Sequence, residues 1–155
     1  MERAQVLEPE LQSQLRQHLE GMVPLPAPYY ADFVASNQST RADNTLPGRD
    51  KQQHLETIRA QIRAFKAEQR CDTVVVLWTA TTERFAVEEE GVHDTSENVL
   101  EAIARSDGEI SPSSLFAVAS ILEGCTFING SPQNTLVGGI LQMAEQRGVM
   151  IGGDG

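Results

Sequence analysis

No GxGxxG, GxxxxGK[ST], GxSxG or HExxH pattern occurs anywhere in the 155 residues. Their absence excludes a complete dinucleotide-binding first turn, a P-loop, a serine-hydrolase elbow and a zincin helix. Cysteine is equally sparse. Cys71 and Cys125 stand far apart with no CxxC neighbour and no nearby histidine, so two reduced thiols are expected rather than a disulfide framework or a zinc site. No run approaches the roughly 18 apolar residues of a membrane span. The opening residues, MERAQVLEPELQSQL, are polar rather than signal-like, which makes the expected compartment cytoplasmic. Basic residues are outnumbered, 12 Lys plus Arg against 22 Asp plus Glu, for a net charge of −10. That charge repels a polyphosphate backbone and an anionic bilayer alike, so no nucleic acid and no membrane is expected as a partner.

What remains is enough for one domain: 40% of the residues are hydrophobic, and the length falls short of a two-domain enzyme. Glu8 to Glu20 reads as a polar helix ended by Gly21, and VPLPAP from Val23 to Pro28 as an extended connection, dividing a polar segment at 1–22 from a body at 23–155. From Asp50 to Gln69, Leu55, Ile58, Ile62 and Phe65 recur at helical spacing and predict an amphipathic helix. Thr73 to Trp78 is an apolar run, the pattern of a parallel strand covered on both faces. Asp94 with Glu97 predicts a capping box opening a helix to Arg105. Ser111 before Pro112 predicts a second helix, apolar nearly all round, running to about Leu122 and stopped by Gly124. Thr126 to Ile128 reads as a strand, Asn134 to Arg147 as a helix closed by Gly148, and Val149 to Ile151 as a third strand. The order βααβαβ predicts an α/β fold, a Rossmann-like parallel sheet with crossover helices, incomplete because the glycine-rich first turn is absent.

The chemistry-bearing residues sit where such strands end. Thr79, Ala80, Thr81 and Thr82 follow the first strand, so their hydroxyls and amides would line the crevice at its carboxyl edge. An ordinary strand exit, with the threonines closing their own turn, is the alternative. Asn129-Gly130-Ser131-Pro132 follows the second strand and offers amides near a helix start that suits an anion such as phosphate, or else a tight turn without a ligand. Gly152-Gly153-Asp154 adds a carboxylate for a ribose hydroxyl, a substrate hydroxyl or a metal. Gln38, Arg41, Asp43 and Asn44 form a polar loop that either binds a sugar or phosphate or satisfies itself. His54 and His93 lack the partner of a general base and read as surface histidines. Glu88-Glu89-Glu90 reads as a solvated loop, and Met143 and Met150 as core packing.

WTATTERF from Trp78 to Phe85, DTSENVLEAI from Asp94 to Ile103, SPSSLFAVASILEGCTFINGSPQNTLV from Ser111 to Val137 and the final IGGDG are similar to the inositol-3-phosphate synthase family, also called myo-inositol-1-phosphate synthase. The resemblance extends through PLPAPYYADFVASNQSTRADN, from Pro24 to Asn44. It implies an NAD-dependent isomerase that converts D-glucose 6-phosphate to 1D-myo-inositol 3-phosphate by oxidation, enolisation, aldol closure and re-reduction. It also implies a homo-oligomer, a tetramer, for the complete enzyme. It assigns NAD contacts to Thr79, Ala80, Thr81 and Thr82, to Gly130 and Ser131, to Gln38 and Arg41, to Asp154, and more loosely to Ala27 and Pro28.

The family's glycine-rich turn lies upstream of anything in this chain, and its KSGQT segment, other catalytic lysines and catalytic domain lie beyond Gly155. GGDD has become GGDG, WTANT has become WTATT at Thr81, and VPG has become Val137-Gly138-Gly139. No catalytic residue and no metal ligand is therefore assigned. Without cations to stabilise the enolate and the aldol oxyanion, these 155 residues are expected to be inactive alone. The other readings are a truncated product that associates with full-length subunits through an exposed sheet edge, and a general small-molecule-binding α/β domain.

Overall fold

The computed structural model describes residues 8–153. Along them run α1 (Pro9–Glu20), a 3₁₀ turn (Ser36–Arg41), α2 (Lys51–Glu68), β1 (Val75–Trp78), α3 (Ser96–Ala104), α4 (Pro112–Leu122), β2 (Thr126–Asn129), α5 (Gly138–Arg147) and β3 (Ile151–Gly153). The strands form a parallel sheet in the order β1-β2-β3, with Val76 opposite Phe127 and Phe127 opposite Ile151. The α/β, Rossmann-like architecture and its element order are as the sequence predicts.

Each crossover moves the chain the same way across the sheet, and right-handed connections of that kind deliver their helices to one face. Val76, Trp78 and Phe127 turn toward the helices and join the core. Val75, Leu77 and Ile128 point to the opposite face and are 55%, 60% and 38% exposed. The expectation of a strand covered on both faces is thereby corrected: within the described residues the apolar run of β1 is covered on one face only. Helix α4 lies at the middle of the helical layer, against β1, β2, α2 and α5. Apart from Phe116 its residues from Pro112 to Ile121 are buried, and the Phe116 ring tilts against Trp78 with 5.3 Å between centroids.

Local signals account for most helix ends. Asp50 accepts a hydrogen bond from the Gln53 amide and Ser111 from the Ser114 amide, each capping its helix. The cap of α3 is Thr95, not Asp94; Asp94 instead closes the preceding turn, accepting from the Gly91 amide at 2.9 Å and from Asn98 Nδ2 at 2.8 Å. Helix α5 starts at Gly138 rather than Asn134, because Asn134 spends its carboxamide on the Ala86 backbone and Thr135 donates to Ser113. Strand β3 starts at Ile151 because the Val149 amide still bonds the end of α5, at Ala144 O.

Two histidines are also corrected. His54 and His93 are buried, not on the surface. The Pro47 carbonyl can only accept, so His54 Nε2 donates to it at 3.1 Å and Nδ1 accepts from the Tyr30 hydroxyl at 2.7 Å. His93 accepts from the Glu89 amide at 3.1 Å through Nδ1 and donates to Glu109 O at 3.3 Å through Nε2. Met143 is core, as expected, whereas Met150 is exposed.

Candidate functional site

Strands β1 and β2 end side by side. The Gly130 amide donates to Trp78 O at 2.8 Å, so the chain leaves the two strands at Thr79 and Ser131 as neighbours. A Cβ on Gly130 would stand 3.2 Å from that same carbonyl oxygen, so glycine is what lets the two exits approach so closely. Gln133 Nε2 and Trp78 Nε1 both donate to Ala80 O, each at 3.2 Å, which ties the loop after β2 to the loop after β1. Asn129 folds its own loop, accepting from the Ser131 amide at 3.1 Å and donating to Gln133 O at 2.9 Å. Thr79 through Thr82 and Gly130 are exposed on this edge, and Ser131 is buried beneath it.

Two oxygens in this crevice are left over. Ser131 Oγ and Gln133 Oε1 are buried without a hydrogen-bond partner among the described residues. Such groups are uncommon in folded proteins and mark a place where a polar ligand or water completes the pairing. Together with the small-residue rim and the close approach at Gly130, they fit a dinucleotide lying across the strand ends.

The upstream loop is brought alongside. Val34 bridges Glu83 in antiparallel sense, and the Arg84 amide donates to Phe33 O at 2.9 Å. The antiparallel sense directs the residues after Val34 back along the Thr82 side of the bridge, and the 3₁₀ turn bearing Gln38 and Arg41 begins two residues later. Among the described residues neither side chain bonds the other loops. Asn44 serves the fold instead, with its Nδ2 on Pro24 O at 2.9 Å. Ala27 lines an apolar cavity of about 310 Å³ with Ile58, Phe65, Val74 and Phe116, beside the start of β1 rather than its end. Asp154 lies outside the described residues.

Sequence reasoning missed Glu83. Its carboxylate is buried, accepting from the Ser113 amide at 3.0 Å and from the Ser113 hydroxyl. Burial raises its pKa above the usual carboxylate value, against the pull of the Ser113 hydrogen bonds. Its partner is 30 residues away along the chain, so no local pattern announces it.

Two cations are committed to the fold. Arg84 clasps Glu109 and stacks its guanidinium 4.1 Å from the Phe33 ring centroid. Lys51 is buried with its ammonium on Ile110 O at 2.6 Å and on Asp107 O; burial draws its pKa down to about 8, against Asp107 and Glu109. Among the described residues no cluster of His, Cys, Asp or Glu could hold a metal ion, and no helix is long and apolar enough to cross a membrane.

Comparison with known proteins agrees with this geometry. A family model for an NAD-binding domain, described as myo-inositol-1-phosphate synthase, matches residues 1–155. The chain is 55% identical over 154 residues to inositol-3-phosphate synthase of Dictyostelium discoideum, covering 99% of this chain and 30% of that protein. It is 57% identical to inositol-3-phosphate synthase 1 of Bos taurus, over 99% of this chain and 27% of that one. The crystal structure of inositol-3-phosphate synthase from Caenorhabditis elegans superposes with a TM-score of 0.96 at 55% identity, over 99% of this chain and 30% of that one. The chain thus spans under a third of the length of these relatives.

Proposed function

Because the chain belongs to the myo-inositol-1-phosphate synthase family, we propose that it supplies the strand-end floor of an NAD site in an inositol-3-phosphate synthase, an isomerase acting on D-glucose 6-phosphate. The observation that carries the reading is the paired exit at Thr79 and Ser131, where exposed small residues stand over a buried hydroxyl without a partner. NAD, when bound, accepts a hydride from the sugar and gives it back, so no net redox change results. In this chain the amides and hydroxyls of Thr79 to Thr82 hold polar groups of the nucleotide, Gly130 admits its flat surface, and Ser131 offers a hydroxyl. Gln38, Arg41 and Asp154 complete the contact set. The partial nucleotide domain occupies 23–155, apart from the polar segment at 1–22; no residue of α1 is buried, in keeping with that boundary.

The Lys51 ammonium is held by Asp107 and Ile110 and the Arg84 guanidinium by Glu109, so neither is free to steady an enolate, and Arg41 is assigned to the nucleotide. The chain alone is accordingly a binder and not a catalyst. Calorimetric titration with NAD is expected to give a saturable heat, while the same sample releases no inositol phosphate from glucose 6-phosphate. A flat titration removes the binding reading, and turnover removes the second statement.

A second reading is favoured by the bare sheet face of Val75, Leu77 and Ile128, an exposed apolar surface of the kind that parallel sheets cover. In it the chain docks onto full-length subunits of a cytoplasmic tetramer without binding nucleotide. Gel filtration with the full-length enzyme separates the two, since a partner-only chain would co-elute yet show no NAD heat.

A further inference from the structure

We infer that Glu83 is a positioning residue for the crevice, fastening the loop after β1 to the first turn of α4 and, through Ser113 and Thr135, to the loop after β2. The inference rests on the reading of that crevice as an NAD site. The bonds form a closed circuit. Glu83 accepts from Ser113 N at 3.0 Å and from Ser113 Oγ; Thr135 Oγ1 donates to Ser113 Oγ at 2.9 Å; the Thr135 amide donates to Gln133 O at 3.0 Å; and Gln133 Nε2 returns to Ala80 O at 3.2 Å. The circuit starts and ends in the same loop, and Thr81 and Thr82 lie between its two ends. The Glu83 backbone also bridges Val34, just before the turn that bears Gln38 and Arg41. One residue thus joins, through side chain and backbone, three of the segments on which the nucleotide contacts were placed.

Stability alone is a poor account of a carboxylate in this position. Burying a charge is costly unless it is paired, and the adjacent Arg84 guanidinium is spent on Glu109. What Glu83 meets instead is a hydroxyl, an amide and the positive end of α4, which accommodate a negative charge, and that charge sets the Ser113 hydroxyl as donor to Glu83 and so the Thr135 hydroxyl as donor to Ser113. A network oriented in this way holds loops in one arrangement before a ligand arrives, and such preorganisation appears as affinity.

Amide hydrogen exchange and NAD titration on the 155-residue chain test this, with Glu83→Gln, Ser113→Ala, the double variant and Glu123→Gln. Glu83→Gln keeps the size but turns one acceptor into a donor. It is expected to speed exchange about tenfold at the bonded amides of these loops, Arg84, Gly130 and Thr135, and to weaken NAD about tenfold, with protection elsewhere unchanged. Ser113→Ala should do the same, and the double variant should lose no more than either single one. Glu123→Gln frees Arg59 and Arg63 at the far end of α4 and should lower stability with neither local effect. Unchanged loops, additive losses, or a uniform loss of protection would each overturn the inference. Intact NAD binding unaffected by Glu83→Gln sinks the inference alone, whereas absent NAD binding by the unsubstituted chain sinks the site reading and the inference with it.

Discussion

Arg84 holds Glu109 through two parallel contacts, Nη1 to Oε2 at 2.9 Å and Nη2 to Oε1 at 2.8 Å, and so anchors the chain leaving β1 to the turn before α4. Chiefly because of this guanidinium, the Glu109 carboxyl is held down at about 2. An unfolded glutamate titrates at about 4.3. The pair's contribution is therefore whole above about pH 4.3 and is lost as the pH falls toward 2. Because Arg84 is 38% exposed, solvent screens the pair, and about 1 kcal/mol is expected from it. Glu109→Gln should unfold about 1 kcal/mol more readily at neutral pH, and should lose less stability on acidification. Glu83 acts with the opposite sign, since its raised pKa makes a cost that acid relieves. Urea unfolding at neutral and at acid pH decides the matter; equal acid sensitivity of the two proteins contradicts the assignment.

Adjacent glycines at the start of α5 should respond in opposite ways. A Cβ on Gly139 would lie 2.3 Å from the Thr95 carbonyl oxygen and 2.6 Å from a Val99 methyl, so Gly139→Ala forces α3 and α5 apart at about 2 kcal/mol or more. Gly138 is the first residue of α5, and Val137 before it is already extended at φ −65°, ψ 163°. Proline fits a first helical position and that predecessor, so Gly138→Pro should stabilise by about 0.5 kcal/mol. Thermal melts of the two variants should move in opposite directions.

Tyr30→Phe removes the donor to His54 Nδ1 and leaves that ring nitrogen buried and unpaired. A loss of about 1–2 kcal/mol is expected by urea unfolding. An unchanged midpoint would mean that the contact carries nothing.

These comparisons show where the sequence was legible. Helix α2 and the Ser111-Pro112 start of α4 were readable to within a residue, because a strong apolar period and a cap adjoining a proline are local facts. The one-sidedness of β1 was not, since Val75 and Leu77 look the same whether their face is covered or bare. His54 was misread because its neighbour Leu55 belongs to the apolar stripe and the partner Tyr30 is distant in sequence. The strand-end loops were legible as candidates, yet the Glu83 circuit that joins them depends on contacts that only folding creates.

Ser131→Ala should separate folding from binding. Its hydroxyl has no partner among the described residues, so removing it should leave stability unchanged or raise it by about 1 kcal/mol. NAD affinity should fall at the same time. A loss of stability with unaltered affinity would assign Ser131 to the fold.

Trp78 is the single tryptophan, and its indole bonds the Ala80 carbonyl at the mouth of the crevice. Titration with NADH while exciting that ring is the most direct test of the nucleotide site. Saturable quenching of indole emission with sensitised nicotinamide emission, both reversed by NAD, is the predicted result. Quenching that rises linearly with NADH and is indifferent to NAD would contradict it.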